Sequence, residues 1–492
     1  MKNKKGFTLV ELLAVIAILA ILVIIALPNV INMYNKAQKE TFLTEAKNVY
    51  RESEKVYLSN AISGKKTKVI NSEDSSKLDM TGSKLQYCVI LNNSGKVTDM
   101  KVSNGKWVAS LKDGKTVEDL TIDDLEDGNL DGYNCKQNAP KIPEATNCTF
   151  DGDLVQGVEY VNGQYTYRYM QEGNASSTND LAWNNIVTDG WGVQLTDKAS
   201  TDAVTDSVCT YINNVPVTSM AYMYYKSKTS SINLTNVNTS KVTSMSDMFR
   251  DTQVTSLDLS NFDTSNVTNM LDMFRSTKVE TLDLSSFDTS NVTDMFGIFC
   301  GSQIEALDLS NFDTSNVTDM QWMFDSTQAT SINVNSFDTS KVTNMSGMFS
   351  GSQAATLDVS SFDTSNVTNM SSMFQGGTAT TIKGLNKFNT SKVTNMNYMF
   401  NRSQVTSLDL SNFDTSNVTD MSSMFRELSL STIYVSDKFV TNKVTVANSA
   451  NMFTGSTKLV GGAGTKYTNS YVNKTYARID GGTTNPGYFT KK

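Results

Sequence analysis

The sequence predicts an α+β stalk, a long N-terminal helix with a small antiparallel sheet, followed by a small mostly β module and a β/α solenoid. Three observations lead there. An apolar run from Phe7 passes directly into amphipathic helical periodicity that lasts to about Leu58. Residues 84–112 carry two-residue alternation and turn signals. From Val217 the tetrad Val-Thr-x-Met returns every 25 residues, and a fixed period of that length is the signature of stacked repeats.

The first element begins with a short basic leader, residues 1–6, holding Lys2, Lys4 and Lys5. Phe7–Leu27 is apolar apart from Thr8 and Glu11; as a helix it covers about 31 Å, a bilayer's hydrocarbon thickness. A carboxylate at membrane depth costs roughly 2.5–3.5 kcal/mol and calls for a partner. A secretory signal would be cleaved after its apolar run, but here the run continues past Ala26 into a helical pattern, so the segment is expected to stay in the mature chain. Beyond it Phe42, Ala46, Val49, Tyr50, Val56 and Tyr57 recur at helical spacing, which extends one helix over 7–58, with Pro28 bending it.

A β domain is expected over 59–138. Tyr87–Leu91 reads as a strand, and Ser103-Asn104-Gly105 before Trp107 reads as a type I′ hairpin turn. Pro140 and Pro143 mark a linker at 139–147, and 148–216 forms a β-rich module placed to cap the repeats. The solenoid spans 217–458 in about ten copies, with Val217, Val242, Val267, Val292, Val317, Val342, Val367, Val393 and Val418 opening the regular ones, and 459–492 closes it. One extra residue lies between Gly376 and Gly384. Within a copy, Met245, Met248 and Phe249 sit at i, i+3, i+4, the spacing of a short helical turn, and Leu257 and Leu259 alternate as a strand.

Composition narrows function. The net charge of −8 argues against a nucleic-acid partner. Histidine is absent from the 492 residues, which removes imidazole ligands and the commonest general base. No lone Asp/Glu pair stands out from the repeated carboxylates, so no catalytic residue is assigned. Two aspartate columns recur, one at Asp258, Asp283, Asp308, Asp358 and Asp409, the other at Asp263, Asp288, Asp313, Asp338, Asp363 and Asp414. They read as turn caps rather than calcium ligands, because the Gly-rich loop of calcium β-helices is missing. No metal and no cofactor is expected. Leu271, Phe296 and Trp322 replace the small polar residues found between the two Met positions of most copies. In three consecutive coils they form a candidate ligand patch.

Residues Gly6-Phe7-Thr8-Leu9-Val10-Glu11 resemble the leader and mature start of type IV pilins and pseudopilins. The resemblance implies cleavage between Gly6 and Phe7 by a prepilin peptidase and N-methylation of Phe7. It also implies filament assembly in which Glu11 pairs with the Phe7 amine of a neighbouring pilin subunit. A long helix packed on a small antiparallel sheet is likewise what a pilin looks like. The repeat Leu257–Met270, with the closing segment Arg478–Phe489, resembles the BspA-like leucine-rich-repeat surface proteins in their 25/26-residue variant. That implies a leucine-rich-repeat solenoid and adhesion to host or partner-cell ligands, protein or glycan.

The leader further implies an extracytoplasmic site, where disulfides persist. Cys88–Cys135 and Cys148–Cys209 are the expected pairs, each within one domain, with Cys300 left over. The expected protein is a bacterial cell-surface adhesin. Its precursor would be held in the cytoplasmic membrane through 7–27 and then displayed as a minor pilin of a type IV filament. The rival reading is a pseudopilin of a secretion or DNA-uptake machine whose solenoid grips cargo.

Overall fold

The spacing of Phe42, Ala46, Val49, Ser53 and Tyr57 puts all five on one helical face, and all five are buried. That face anchors the first of two compact units, Met1–Ala139 and Pro140–Lys492, in a computed structural model. The structure describes residues 9–62, 69–72, 78, 84–91, 96–111, 116–130, 143–170 and 190–492. Helix α1 (Leu9–Ile62) has 54 residues. It runs unbroken through Pro28 and ends beyond the expected limit near Leu58. Among the described residues no helix is long and apolar enough to cross a membrane. The expected span Phe7–Leu27 falls partly on residues 1–8, and most of its remaining side chains also lie outside the described residues.

Against α1 packs a five-stranded antiparallel sheet in chain order: β1 (Val69–Asn71), β2 (Gln86–Leu91), β3 (Val97–Ser103), β4 (Trp107–Leu111) and β5 (Glu126–Asp127). Val89, Met100, Val102 and Trp107 fill the space under the helix. The β3–β4 turn is not type I′, since only Gly105 takes a positive φ, at 86°. The Asn104 side chain accepts the N–H groups of Lys106 and Trp107, each at 3.0 Å. It thereby holds a three-residue loop with glycine at the left-handed position.

The second unit opens with β6 (Asn147–Cys148), β7 (Glu159–Asn162), β8 (Tyr165–Met170), β9 (Gly190–Leu195), β10 (Tyr211–Ile212) and β11 (Val215–Ser219), a sheet in the order β6-β10-β11-β9-β8-β7. Cys148 and Cys209 are disulfide-bonded, Cα–Cα 5.7 Å. In the first unit Cys88 is disulfide-bonded as well, and Cys135 lies outside the described residues. Strand β11 pairs in parallel with β9, and its last residue, Ser219, bridges Ser244 in the next coil. The small sheet thus supplies the first rung of the coil stack.

From Ser219 the chain stacks coil on coil. Parallel bridges link Ser219, Ser244, Asn269, Asp294, Asp319, Asn344, Asn369, Asn395 and Asp420 in one file. A second ladder of short parallel strands joins 306–308 to 331–333, 356–358 to 381–383, and 408–410 to 433–435. The coils contain no α-helix among the described residues, and the expected helical turn at Met245, Met248 and Phe249 is not formed. Its amides are used otherwise. The N–H groups of Met245, Asp247, Phe249 and Asp251 donate to the carbonyls of Asn269, Leu271, Met273 and Arg275 at 2.8–3.0 Å. Those of Met248, Arg250 and Thr252 close tight turns on Met245, Asp247 and Phe249. Alternate amides pointing across the stack cannot also form an i→i−4 ladder. The backbone achieves this by taking left-handed φ at Asp247 (53°) and Asp251 (55°).

Behind the turns runs a file of aromatic rings: Tyr224, Phe249, Phe274, Phe299, Phe324, Phe349, Phe374, Phe400, Phe425 and Phe453. Successive centroids are 5.3–6.2 Å apart and successive planes lie within 17° of parallel. Such pairs contribute about 0.5–1.5 kcal/mol each beyond their buried area. Buried threonines substitute for missing strand bonds; the Thr264 hydroxyl donates to Asp288 O and accepts from Asp288 N, both at 2.8 Å. The 26-residue copy places its extra residue after Lys383. Phe388 follows Phe362 by one residue more than Thr381 follows Thr356, and Gly384 takes φ 91° there. A Cβ on Gly384 would stand 2.6 Å from the Ser360 backbone, so only glycine fits this bulge.

The far end is closed by Phe489–Lys491, which pairs in parallel with Ile433–Val435. Tyr488 and Phe489 meet Phe453 edge-on and end the ring file. Asp480 ties this cap together. Its carboxylate accepts N–H bonds from Ala463, Thr465 and Gly482, each 2.9 Å, and the Thr465 hydroxyl at 2.7 Å. Burial pushes its carboxyl upward, but the bonds from Thr465, Gly482 and Ala463 outweigh that and bring it down to about 2.

Two expectations follow from this packing. Phe324→Ala, which opens a hole in the ring file, should lower unfolding free energy by about 3–5 kcal/mol in urea titrations of the full chain. A depressed carboxylate stabilises the fold above its unfolded value, about 3.9, and that stabilisation is lost as pH falls through about 2. Asp480→Asn should therefore be much less stable than the parent at pH 6, and the gap should narrow steadily below pH 4 in acid-unfolding curves.

Candidate ligand-binding face

Each coil carries two left-handed residues, one two positions and one six positions after the first Met of the turn. The first file runs Tyr222, Asp247, Asp272, Gly297, Trp322, Gly347, Ser372, Tyr398, Ser423 and Asn451. All but the two glycines are strained by that conformation, which costs an L-residue roughly 1–2 kcal/mol. Asp and Asn tolerate it; a bulky aromatic is an outlier. Tyr222 (57°), Trp322 (60°) and Tyr398 (56°) are such outliers, all on one file of one face.

The candidate patch of Leu271, Phe296 and Trp322 divides on this geometry. Leu271 and Phe296 follow the first Met directly and are half-buried, and their carbonyls accept the N–H groups of Asp247 and Asp272 at 2.8 Å. Trp322 stands one residue further on, in the left-handed file, and is 38% exposed. A one-residue offset changes the direction of the side chain, so the three do not form one row. Gly6 and Phe7 lie outside the described residues. Glu11 lies on α1, with its side chain outside the description.

Charge is concentrated at the first coils of this face. Arg250 Nη1 bridges Asp247 (2.8 Å) and Asp272 (2.9 Å), and Arg275 Nη1 reaches Asp272 at 3.3 Å. Burial raises the carboxyls of both aspartates. The Tyr225 ring has Lys226 Nζ at 4.9 Å and Arg250 Cζ at 5.6 Å. In the sequence these residues stand out only as polar fillers of a repeat; the recurrence of Asp and Arg three residues apart in two consecutive coils is the available signal. Cys300 is buried beside Asp325, and burial pushes its thiol up to about 12, which leaves it unreactive.

The aspartate columns cap turns. Asp258 accepts Ser260 N at 3.1 Å and Asp263 accepts Ser265 N at 3.1 Å, and the same bond recurs along both files. Hydrogen bonds from Ser260 hold the Asp258 carboxyl below its usual range. Among the described residues no group of three or more acidic or cysteine side chains is placed to hold a metal ion. The asparagines of the repeated Asn-Val-Thr are also committed, with Asn266 Nδ2 donating to Ser240 O at 2.8 Å and Asn316 Nδ2 to Ser290 O at 2.8 Å. An open groove of about 630 Å³ is lined by Glu280, Gly301, Gln303, Glu305, Gln328 and Thr330, with Gly301 the second left-handed residue of its coil. Glu280 and Glu305 stand where other copies carry Thr255 and Thr330, a departure visible in the sequence.

Comparison with known proteins shows the same division of the chain. Residues 1–27 match the family profile of the prokaryotic N-terminal methylation motif. Residues 199–305, 300–382 and 353–467 match the profile described as Mycoplasma protein of unknown function, DUF285. No curated protein and no solved structure matches the chain. The DUF285 matches together take in the stacked coils and more than half of the 492 residues. The chain therefore belongs to the family of the Mycoplasma protein of unknown function, DUF285, joined in this case to a prokaryotic N-terminal methylation motif.

Proposed function

We propose that this protein is a surface adhesin, displayed through a type IV pilin-like N-terminus and binding host or partner-cell ligands with a BspA-like leucine-rich-repeat solenoid. The observation that carries the reading is the union, in one chain, of a methylation motif at 1–27 with a regular stack closed at both ends. A prepilin peptidase would cut between Gly6 and Phe7, and the methylated Phe7 amine of one subunit would pair with Glu11 of the next. Helix α1 is suited to such assembly. Leu13, Ile16, Val30, Ile31, Met33 and Tyr34 are 48–73% exposed, an apolar surface that its own unit leaves uncovered.

The mechanism is adhesive rather than chemical, and the reading assigns no catalytic residue, metal or cofactor. A repeat unit of this bulk fits a minor or tip subunit better than one present at every position of a filament. Parallel ladders make the face stiff, so residues on it are presented at fixed intervals without an ordering cost on binding.

Glu11→Ala should remove the protein from the sheared filament fraction while the membrane fraction keeps it, measured by immunoblotting with an antibody to the repeats. Cells bearing the variant should lose adherence to host or partner cells. If adherence is unchanged and secretion or DNA uptake falls instead, the stack serves as a cargo grip and the adhesin reading is wrong.

A further inference from the structure

We infer that the left-handed file carries a binding site for an extended, neutral glycan, with Trp322 as its principal stacking platform and Tyr398 as a second. The inference rests on the adhesin reading and names its ligand class. Trp322 adopts φ 60°, a conformation that disfavours bulky side chains, in a file where neighbouring coils use Gly297, Gly347 and Ser372. Nothing in the fold requires an aromatic there, because the equivalent residues support the same turn and the same ladder bonds. Strain carried by a replaceable residue is a mark of function.

The placement of the ring gives the chemistry. Trp322 Cδ2, Cε2 and Cγ lie 3.4–3.7 Å from the point where a Cβ on Gly347 would stand. The indole is thus laid face-down on the next coil, with its other face outward and 38% of the residue exposed. No hydrogen bond is made by its Nε1–H among the described residues, so that donor is available at the platform's rim. Three coils further along the same file stands Tyr398, half-buried and also at positive φ, with the small residues Gly347 and Ser372 between them. At the strand spacing the two rings are separated by about 14 Å.

A flat ring on a flat, hydroxyl-bearing floor suits the apolar CH face of a pyranose, whose rim then meets polar groups. Gln321 and Ser371, both half-buried, supply these beside the file. A peptide would want pockets for its side chains, and the floor between the two rings offers none of the large apolar residues that line one. The chain's charge of −8 disfavours an acidic polysaccharide. A linear glycan lying along the stack, with successive sugars crossing successive coils, places one ring on Trp322 and a later one on Tyr398.

The test is calorimetric titration of the full chain, in a zwitterionic detergent without a sugar headgroup, with cellohexaose, chitohexaose and mannohexaose. At least one should bind, with an affinity that barely changes as salt is raised. Trp322→Gly should weaken that binding about tenfold or more, with an unfolding midpoint no lower than the parent's, since glycine suits the backbone there. Trp322→Phe should keep most of the affinity. Failure of the parent to bind any of the three, binding undiminished in Trp322→Gly, or a steep salt dependence would each overturn the inference. The adhesin reading is judged separately. If cells displaying Trp322→Gly adhere as the parent does, adhesion stands and the glycan site falls; if parent cells do not adhere, the adhesin reading falls.

Discussion

The structure of the repeat unit depends on one backbone arrangement: alternate amides in each Met-x-x-Met-Phe turn point along the stack instead of along the local chain. The Asp247, Phe249 and Asp251 N–H groups all donate to carbonyls 24 residues later. That requires left-handed backbone twice per coil. Once it is adopted, every residue type repeats in register, and the files of Met, Phe, Thr, Asp and Asn arise from translation alone. The rings stack and the threonine hydroxyls bridge because the next coil stands in register beside them, while each aspartate caps its own turn two residues on.

Registered stacking also creates a problem at the ends, where a last coil would expose unpaired amides and apolar rings. Two unlike solutions close them here. At the start, β11 leaves a disulfide-linked module with a mixed sheet and becomes the first rung, while Tyr165 and Tyr224 share a hydrogen bond of 2.9 Å at the head of the ring file. At the finish, a strand arriving from the C-terminus covers 433–435 and turns two aromatics edge-on. Asp480 organises that cap by gathering amides that have no ladder partner.

Much of this was legible in the sequence. The buried face of α1 showed in the spacing of Phe42, Ala46 and Val49, the β2–β4 strands in their alternation, and the coil length in the return of Val-Thr-x-Met. What periodicity did not reveal was handedness. Met245, Met248 and Phe249 have helical spacing, yet the residues between them decide the turn. Asp, Asn and Gly, the residues that best tolerate positive φ, recur at two slots per copy, with the small Ser beside them. Reading those slots as merely polar made them interchangeable, and so placed Trp322 in the same row as Leu271 and Phe296. Their separation by a single register position decides which side chain faces outward, and no count of apolar residues records it. The Gly384 bulge was similarly visible only as an odd residue.

Equal coils joined by equal ladders behave as countable units. Recombination between nearly identical copies can remove or add a whole coil and leave the caps, the ring file and every ladder bond intact. Such an event changes nothing in the fold except distance along the axis. Loss of the coil holding Gly347 would bring Trp322 and Tyr398 one step closer, and a duplication would move them one step apart. The stack is therefore a molecular ruler that can be re-cut in whole units, its length set by the number of coils and its fold by each one alone.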